Sequence, residues 1–356
     1  MRIECPKCLK ISTISSDLIV THKRTLELAC SVCKTDVHVQ LTLPAEGMAH
    51  IDRAPADNES ETRLTSSVAE TQEKSDILSL KSKILRSLVE LPPMPNIILK
   101  AREIMEDPGS SLKELSAVIA HDQAIVARVL ALANSAYYGL SGQVSSIQHA
   151  SILLGQKTLG ELITIAASSR LLSKTLKGYQ LKPGDLWKHS LAAALGSKII
   201  TGMINRDWVE DAFIAGLLHD AGKIILDPYV EERHETFETY LKETPGKFFK
   251  AEKKILGFDH AEIMSRASRF WRYPEVQSMA IRYHHYPTHS GNNQLAYIVH
   301  VADFAAKEAG FKSGKTSSST DIDPHILEYL GFKNAQLEPI MAEIITSVEK
   351  LATEFQ

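Results

Sequence analysis

Four cysteines are all that the 356 residues contain, and aromatic residues make up only 6% of the chain. So few cysteines exclude a disulfide scaffold, and 44% hydrophobic residues exclude a collagenous or fully disordered chain. No apolar run approaches the ~18 residues that span a bilayer, and the N-terminal residues lack the apolar segment of a signal peptide. Forty basic and 43 acidic residues give a net charge of −3, so attraction to nucleic acid or to an anionic membrane is not expected. The composition therefore predicts a cytoplasmic protein with two or three folded units.

The cysteines lie in the first tenth of the chain as two Cys-x-x-Cys pairs, Cys5 with Cys8 and Cys30 with Cys33. The segment between the pairs is rich in β-branched residues, which predicts short strands. Four thiolates presented by a small sheet can bind Zn²⁺ tetrahedrally, and the metal would stabilise a unit too small to fold by apolar burial. A redox-active dithiol pair is the alternative, although neither pair has the strand-to-helix context of thioredoxin-like chemistry. We predict a closed structural zinc site in a small β unit, which resembles the zinc ribbons of bacterial proteins.

The rest of the chain changes its composition at residue 45 and its apolar periodicity at residue 79. Residues 45–78 contain no aromatic residue and lean acidic, which predicts a flexible, disordered linker after the zinc ribbon of residues 1–44. From residue 79 onward the apolar residues recur at helical spacing, so we predict an all-α domain over 79–321 with two helical halves. The predicted segments are 79–182 and 183–321 for the two halves, and 322–356 for closing helices. These closing helices are expected to pack on the second half or to pair with another copy of the chain.

Local signals predict where some helices begin and which segments carry no function. Asp122 is predicted to cap one helix, and the pattern from Thr158 to Glu161 to cap another. The lysine-rich run from Lys247 to Lys254 is interpreted as a solvated helix face. The segment 311–320 is interpreted as a flexible loop, because it lacks the strand and the spacing of a phosphate-binding loop.

Metal-competent side chains interrupt the apolar stripes of the second helical half. They are His189, His219, Asp220, His260, His284, His285 and Asp303. A single inward histidine is usually a core residue bonded to a carbonyl, and that alternative stays open for each of them. Buried unpaired carboxylates cost several kcal/mol, so the two aspartates need a partner, and one divalent cation would satisfy them together. Imidazole with carboxylate ligands suits iron, manganese, nickel or zinc, and Lys223 is placed to neutralise a phosphate oxygen or protonate a leaving group.

The order His189, His219-Asp220, Asp303 resembles the H…HD…D signature of the HD superfamily of metal-dependent phosphohydrolases. The blocks LPPMPNIIL, Asn134–Gly139 (NSAYYG), AGLLHDAGKIIL and RYHHYP resemble the HDOD family of bacterial signalling domains, over about residues 85–310. By alignment with the related HD-GYP phosphodiesterases, all seven metal-competent residues match a dinuclear site, and Lys223 matches the HDxGK lysine. The GYP loop itself is absent, since this chain reads HHYPTHSGNNQ, which argues against specificity for cyclic di-GMP.

The resemblance implies a regulatory protein whose HDOD domain binds a metal, a nucleotide or a partner protein without turnover. Signalling proteins are then the expected partners, and a homodimer is possible. The alternative is an active metal-dependent phosphohydrolase acting on a nucleotide phosphoester. Nucleic-acid binding by the zinc ribbon is not expected, because its few basic residues have no interleaved aromatic residues for base stacking. Those basic residues are Lys7, Lys10, His22, Lys23, Arg24 and Lys34.

Overall fold

A computed structural model describes two compact units, Met1–Thr65 and Ser66–Gln356. The described residues are 2–4, 11–13, 25–29, 36–40, 77–88, 104, 114, 119, 122–140, 142–244, 247–314 and 322–353.

The first unit contains two antiparallel strand pairs. Strands β1 (Arg2–Glu4) and β2 (Ile11–Thr13) form one pair, and β3 (Thr25–Ala29) and β4 (Asp36–Gln40) form the other. Short strands therefore lie between the two cysteine pairs, as the sequence predicts. The cysteines Cys5, Cys8, Cys30 and Cys33 and the predicted linker up to residue 76 lie outside the described residues. The zinc ribbon therefore stays a prediction.

The described part of the second unit is helical, and its first helical segment covers residues 77–88. No described residue after Gln40 belongs to a β-strand, which confirms the helical prediction for this part of the chain. Among the described helices, none has both the length and the apolar character that a membrane span needs. The helices that follow are α1 (Gln123–Ala133), α2 (Ile147–Leu172), α3 (Asp185–Ile204), α4 (Val209–Leu218), α5 (Gly222–Glu232), α6 (His234–Glu243), α7 (Phe248–Leu256), α8 (His260–Phe270), α9 (Glu275–Tyr283), α10 (Gln294–Glu308), α11 (Pro324–Tyr329) and α12 (Leu337–Ala352).

Of the two helix starts predicted from capping residues, one is confirmed and the other is wrong. The Asp122 side chain accepts from the backbone N–H groups of Ala124 and Ile125, so the predicted cap of α1 is confirmed. The predicted start at Thr158 is wrong, because helical residues precede it and the break lies at Gly155, with φ 79° and ψ 166°. A backbone with φ near 79° suits glycine, which explains why the chain turns there.

Helix α3 lies at the centre of the second helical half. Helices α4 and α10 both pack along it, and its buried residues include Leu186, His189, Ala193 and Ile200. A Cβ on Gly196 would lie 2.9 Å from Ile344 Cδ1, so glycine allows α12 to approach α3 closely. The closing helix α12 thus packs on the second half of its own chain. This packing gathers onto one core the three elements that carry His189, the His219-Asp220 pair and Asp303.

Candidate metal centre

The structure brings all seven predicted metal-competent residues of the helical domain together. His189 lies in α3, the His219-Asp220 pair follows α4, His260 begins α8, the His284-His285 pair follows α9, and Asp303 lies in α10. His285 is partly buried. The other six side chains are at most 7% exposed. Residues up to 114 positions apart in sequence therefore share one nearly closed site.

One cluster of donor atoms surrounds His189. Its Nε2 lies 3.2 Å from His219 Nε2, 3.3 Å from Asp220 Oδ2 and 3.2 Å from Asp303 Oδ1. A first-row transition metal at ~2.0–2.2 Å from its ligands holds neighbouring ligands about 3.0–3.5 Å apart. The spacing of these four donors is therefore compatible with a single ion between them.

The tautomers of three histidines are fixed by backbone carbonyls. The Nδ1 atoms of His189, His219 and His284 each lie 2.7 Å from a carbonyl oxygen, those of Phe311, Gly216 and Ile281 respectively. Only a protonated Nδ1 can donate to a carbonyl, so the neutral rings present a bare Nε2 to the interior. The facing Nε2 lone pairs of His189 and His219 repel each other unless they share a proton or a cation.

A second cluster adjoins the first through Asp220. His260 Nε2 lies 2.8 Å from His285 Nε2 and 3.0 Å from Asp220 Oδ1. The ligand atoms of His260, His284 and His285 lie within 4.8 Å of one another. Because Asp220 Oδ2 faces His189 and Oδ1 faces His260, this carboxylate lies between the two clusters.

Two buried atoms of the site have no hydrogen-bond partner among the described residues. They are His284 Nε2 and Asp303 Oδ1. An unsatisfied buried polar group costs about 1–3 kcal/mol, and more when it is charged. His219, His284 and Asp303 also form a third group of ligand atoms within 4.8 Å. A cation bound here would satisfy both atoms at once, so the donor set fits a divalent metal.

Two lysines balance the aspartates. Lys223 Nζ lies 2.6 Å from Asp220 Oδ2 and donates to both the carbonyl and the hydroxyl oxygen of Ser313, at 2.9 Å each. Its three donor positions are thus engaged, which makes Lys223 a support for Asp220 in this structure. Lys307 Nζ lies 2.6 Å from Asp303 Oδ2 and was missed by sequence reasoning, although it follows Asp303 by one helical turn.

Glu252 supports His260 and was also missed. Its carboxylate accepts from the His260 backbone N–H at 2.8 Å, from His260 Nδ1 at 2.7 Å and from the Tyr179 hydroxyl at 2.7 Å. The prediction of a solvated face over Lys247–Lys254 is wrong for this residue, because Glu252 is fully buried. The signal that could have found it is the helical spacing that aligns it with buried Phe248 and Leu256.

Burial and neighbouring charges shift the pKa values of the site residues, upward for His260 and downward for His284, His285 and Asp220. Burial alone would lower the pKa of His260, but Glu252 and Asp220 raise it to about 9. Burial and the neighbouring histidines hold the pKa values of His284 and His285 well below the usual range, so both are neutral ligands at pH 7. Burial alone would raise the pKa of Asp220, but Lys223 and the adjacent histidines hold it well below the usual range. At pH 7 the metal-free site therefore combines ionised carboxylates with a protonated His260 and with neutral His284 and His285.

Comparison with known sequences identifies one family and one relative. The HDOD domain family matches residues 91–287, which is more than half of the chain. An uncharacterised protein of Treponema pallidum (strain Nichols) is 26% identical over 282 residues, covering 78% of this chain and 52% of the relative. The chain thus spans about half the length of this curated relative.

Solved structures share the helical fold. An HDOD domain protein of unknown function from Geobacter sulfurreducens is 26% identical, with a TM-score of 0.65 over 78% of this chain and 98% of its own. A Shewanella amazonensis SB2B protein described as a candidate phosphohydrolase is 24% identical, with a TM-score of 0.60 over 77% of this chain and 98% of its own. A Marinobacter aquaeolei VT8 protein described as a candidate signal transduction protein is 22% identical, with a TM-score of 0.62 over 80% of this chain and 65% of its own. The last two likenesses support the fold alone.

Proposed function

The chain belongs to the HDOD domain family, and we infer that its helical domain is a regulatory module that binds a divalent transition metal without turnover. The observation that carries this inference is the closure of the donor cluster. Six of the seven donor side chains are at most 7% exposed, while His284 Nε2 and Asp303 Oδ1 lack a hydrogen-bond partner among the described residues. Structural metal sites are closed, whereas catalytic sites keep an open position for water or substrate.

The donor chemistry limits which metals are expected. Several imidazoles with two carboxylates favour iron, manganese, nickel or zinc over calcium, which prefers oxygen ligands. His189, His219, Asp220 and Asp303 would hold one ion, and His260, His284 and His285 would complete the site beside Asp220. A bound cation would supply positive charge at the facing Nε2 atoms of His189 and His219. Signalling proteins are the partners expected for such a module.

The proposed function is tested by metal content and turnover measured together. We expect the full chain to contain a transition metal that His219→Ala removes, while His325→Ala, a change at an exposed histidine, retains it. A separate Cys30→Ser/Cys33→Ser variant is expected to lose only the ribbon zinc, which distinguishes the two sites. Elemental analysis of the purified variants measures both.

Phosphodiester turnover decides between the module and the alternative enzyme. We expect no hydrolysis of bis-p-nitrophenyl phosphate or of cyclic dinucleotides by the metal-loaded chain. Hydrolysis that His219→Ala abolishes and His325→Ala preserves would instead establish the metal-dependent phosphohydrolase. Equal metal content in the two histidine variants would overturn the proposed centre.

A further inference from the structure

A cavity of about 490 Å³ lies outside the metal centre, and the proposed function does not use it. It is lined by Phe249, Lys250, Lys253, Lys254, Asp259 and Tyr286. Four of these residues share one face of α7, while Asp259 precedes α8 and Tyr286 follows the His284-His285 pair. The volume falls within the ~300–1,000 Å³ of ordinary small-molecule pockets.

The lining carries excess positive charge. Three lysines oppose one aspartate, and Asp259 is engaged because its Oδ1 accepts from the Glu262 backbone N–H at 2.7 Å. Lys253 forms an ion pair with Glu262, whereas Lys250 makes no ion pair with any residue that the structure describes. Burial, with the nearby charges of Lys250 and Lys307, lowers the pKa of Lys247 at the start of the same helix. An anion bound in the pocket would therefore relieve repulsion among these cations.

Two aromatic rings line the pocket, and one of them, Tyr286, is open to a ligand while Phe249 is buried behind it. The Phe249 and Tyr286 rings meet edge to face at 5.2 Å, and Tyr286 remains 42% exposed. On its other side, Phe249 stacks on His285 at 4.0 Å with an interplanar angle of 11°. The exposed tyrosine can stack with a flat heteroaromatic ring, since stacking of bases on aromatic side chains is favourable for every base. The Phe249 ring therefore lies between the pocket and His285, one of the candidate metal ligands.

We propose that this pocket binds a nucleoside monophosphate, with the base against Tyr286 and the phosphate at Lys250 and Lys254. A free phosphate would leave most of the volume and the exposed Tyr286 ring unused, and an uncharged aromatic ligand would leave Lys250 without a counter-charge. The pocket lies beside the metal centre and its residues are distinct from the metal ligands. A ligand bound there would contact the module without entering the donor cluster.

The test is calorimetric titration of the full chain with AMP and GMP, and separately with adenosine and inorganic phosphate. We expect one of the nucleotides to bind more tightly than adenosine or phosphate, because it uses both the exposed Tyr286 ring and the lysines. Lys250→Glu is expected to weaken that nucleotide at least tenfold. The matched control Lys242→Glu, at an exposed lysine of α6 outside the pocket, is expected to leave the affinity unchanged.

Tyr286→Ala separates the base from the phosphate. Loss of the stacking ring is expected to weaken the nucleotide about fivefold or more while leaving the affinity for inorganic phosphate unchanged. The proposal is overturned if neither nucleotide binds, or if Lys250→Glu and Lys242→Glu bind equally well. Binding that survives both pocket variants but disappears with chelation would place the ligand on the metal and would also overturn it.

Metal content measured on the same samples keeps this proposal separate from the proposed function. A chain without metal that binds nucleotide through Lys250 and Tyr286 supports the pocket while the metal centre fails. A metal-loaded chain that binds no nucleotide supports the metal centre and overturns the pocket.

Discussion

At the residue scale, the protonation of one side of the metal centre depends on Glu252. This fully buried carboxylate accepts hydrogen bonds from the backbone and the ring of His260 and from Tyr179. Burial alone would raise the pKa of Glu252, but the charge and hydrogen bonds of His260 lower it, so it stays ionised. An ionised partner on Nδ1 orients the imidazole and increases the basicity of Nε2, which faces the other donors.

Removing that charge provides the first prediction. Glu252→Gln keeps the shape of the side chain but replaces the carboxylate of the Glu252–His260 pair with a neutral amide. We expect metal affinity to fall by about 10–100-fold, the usual effect of losing a partner behind a ligand histidine. Competition with a chromophoric chelator measures the affinity. Glu349→Gln, at an exposed position of α12, is the matched control, and an equal affinity in the two variants would contradict the assigned role.

The raised pKa of His260 predicts how the stability of the metal-free chain depends on pH. A pKa of about 9 in the folded state, against an ordinary value of 6.5, means that the native state holds its proton more strongly. The resulting stability is fully present below pH 6.5 and is lost as the pH rises through 9, amounting to roughly 3 kcal/mol at most. The lowered pKa values of His284 and His285 act below pH 6.5, outside this range.

Urea unfolding of the chelated protein between pH 6.5 and 9.5 measures this dependence. We expect the free energy of unfolding to decrease over that range and the decrease to be smaller in Glu252→Gln. Burial alone would lower the pKa of His189, but Asp220 and Asp303 raise it, so His189 contributes over the same pH range. The comparison with Glu252→Gln isolates His260, and equal slopes in the two proteins would show that Glu252 does not hold the proton on His260. Metal affinity is expected to change in the opposite sense, rising with pH, because the metal competes with the proton for Nε2.

At the element scale, the apolar periodicity of the sequence predicted which helices carry the donor residues. The residues that hydrogen-bond to those donors come from distant parts of the chain, and periodicity does not predict them. The stripes containing His189 and Asp303 have a buried helical face in the structure, as their spacing predicts. Glu252 was missed because four lysines in the same run resemble a solvated face. The contacts of Phe311 and Ser313 were missed because a loop has no periodicity, and their partners His189 and Lys223 lie 122 and 90 positions away.

The close approach of α5 and α8 provides a prediction at this scale. A Cβ on Gly222 would lie 2.0 Å from the His260 carbonyl oxygen, so Gly222→Ala must push α8 and His260 away from Asp220. We expect a loss of about 2 kcal/mol or more in the free energy of unfolding, together with lower metal content.

The control for Gly222→Ala is another helical glycine. Nothing lies within 4 Å of a Cβ built on Gly202 in α3, so Gly202→Ala is expected to stabilise the chain by up to about 1 kcal/mol. Denaturant unfolding of both variants checks the pair. Similar effects of the two alanines would mean that helix propensity, not the contact with His260, governs Gly222.

At the scale of the whole molecule, the metal centre depends on packing between residues that are not themselves donors. Helix α12 contacts both α3 and α10, which carry His189 and Asp303. Ile344 is fully buried against Gly196, and Ile340 and Val348 line the same face of α12. No residue of α12 belongs to the donor cluster. Its contribution is to hold two donor-bearing helices at a fixed separation.

Shortening the Ile344 side chain tests whether the metal centre depends on this packing. Ile344→Ala removes buried atoms from a closely packed interface, and we expect a loss of about 2–5 kcal/mol in the free energy of unfolding. Thr346→Ala, at an exposed position two residues away, is expected to stay within about 0.5 kcal/mol. Because a bound metal stabilises only the folded chain, saturating metal should restore part of the stability of Ile344→Ala. If metal raises the stability of the unsubstituted chain but not that of Ile344→Ala, the cavity has disrupted the donor geometry, and α12 determines both the stability and the arrangement of the site.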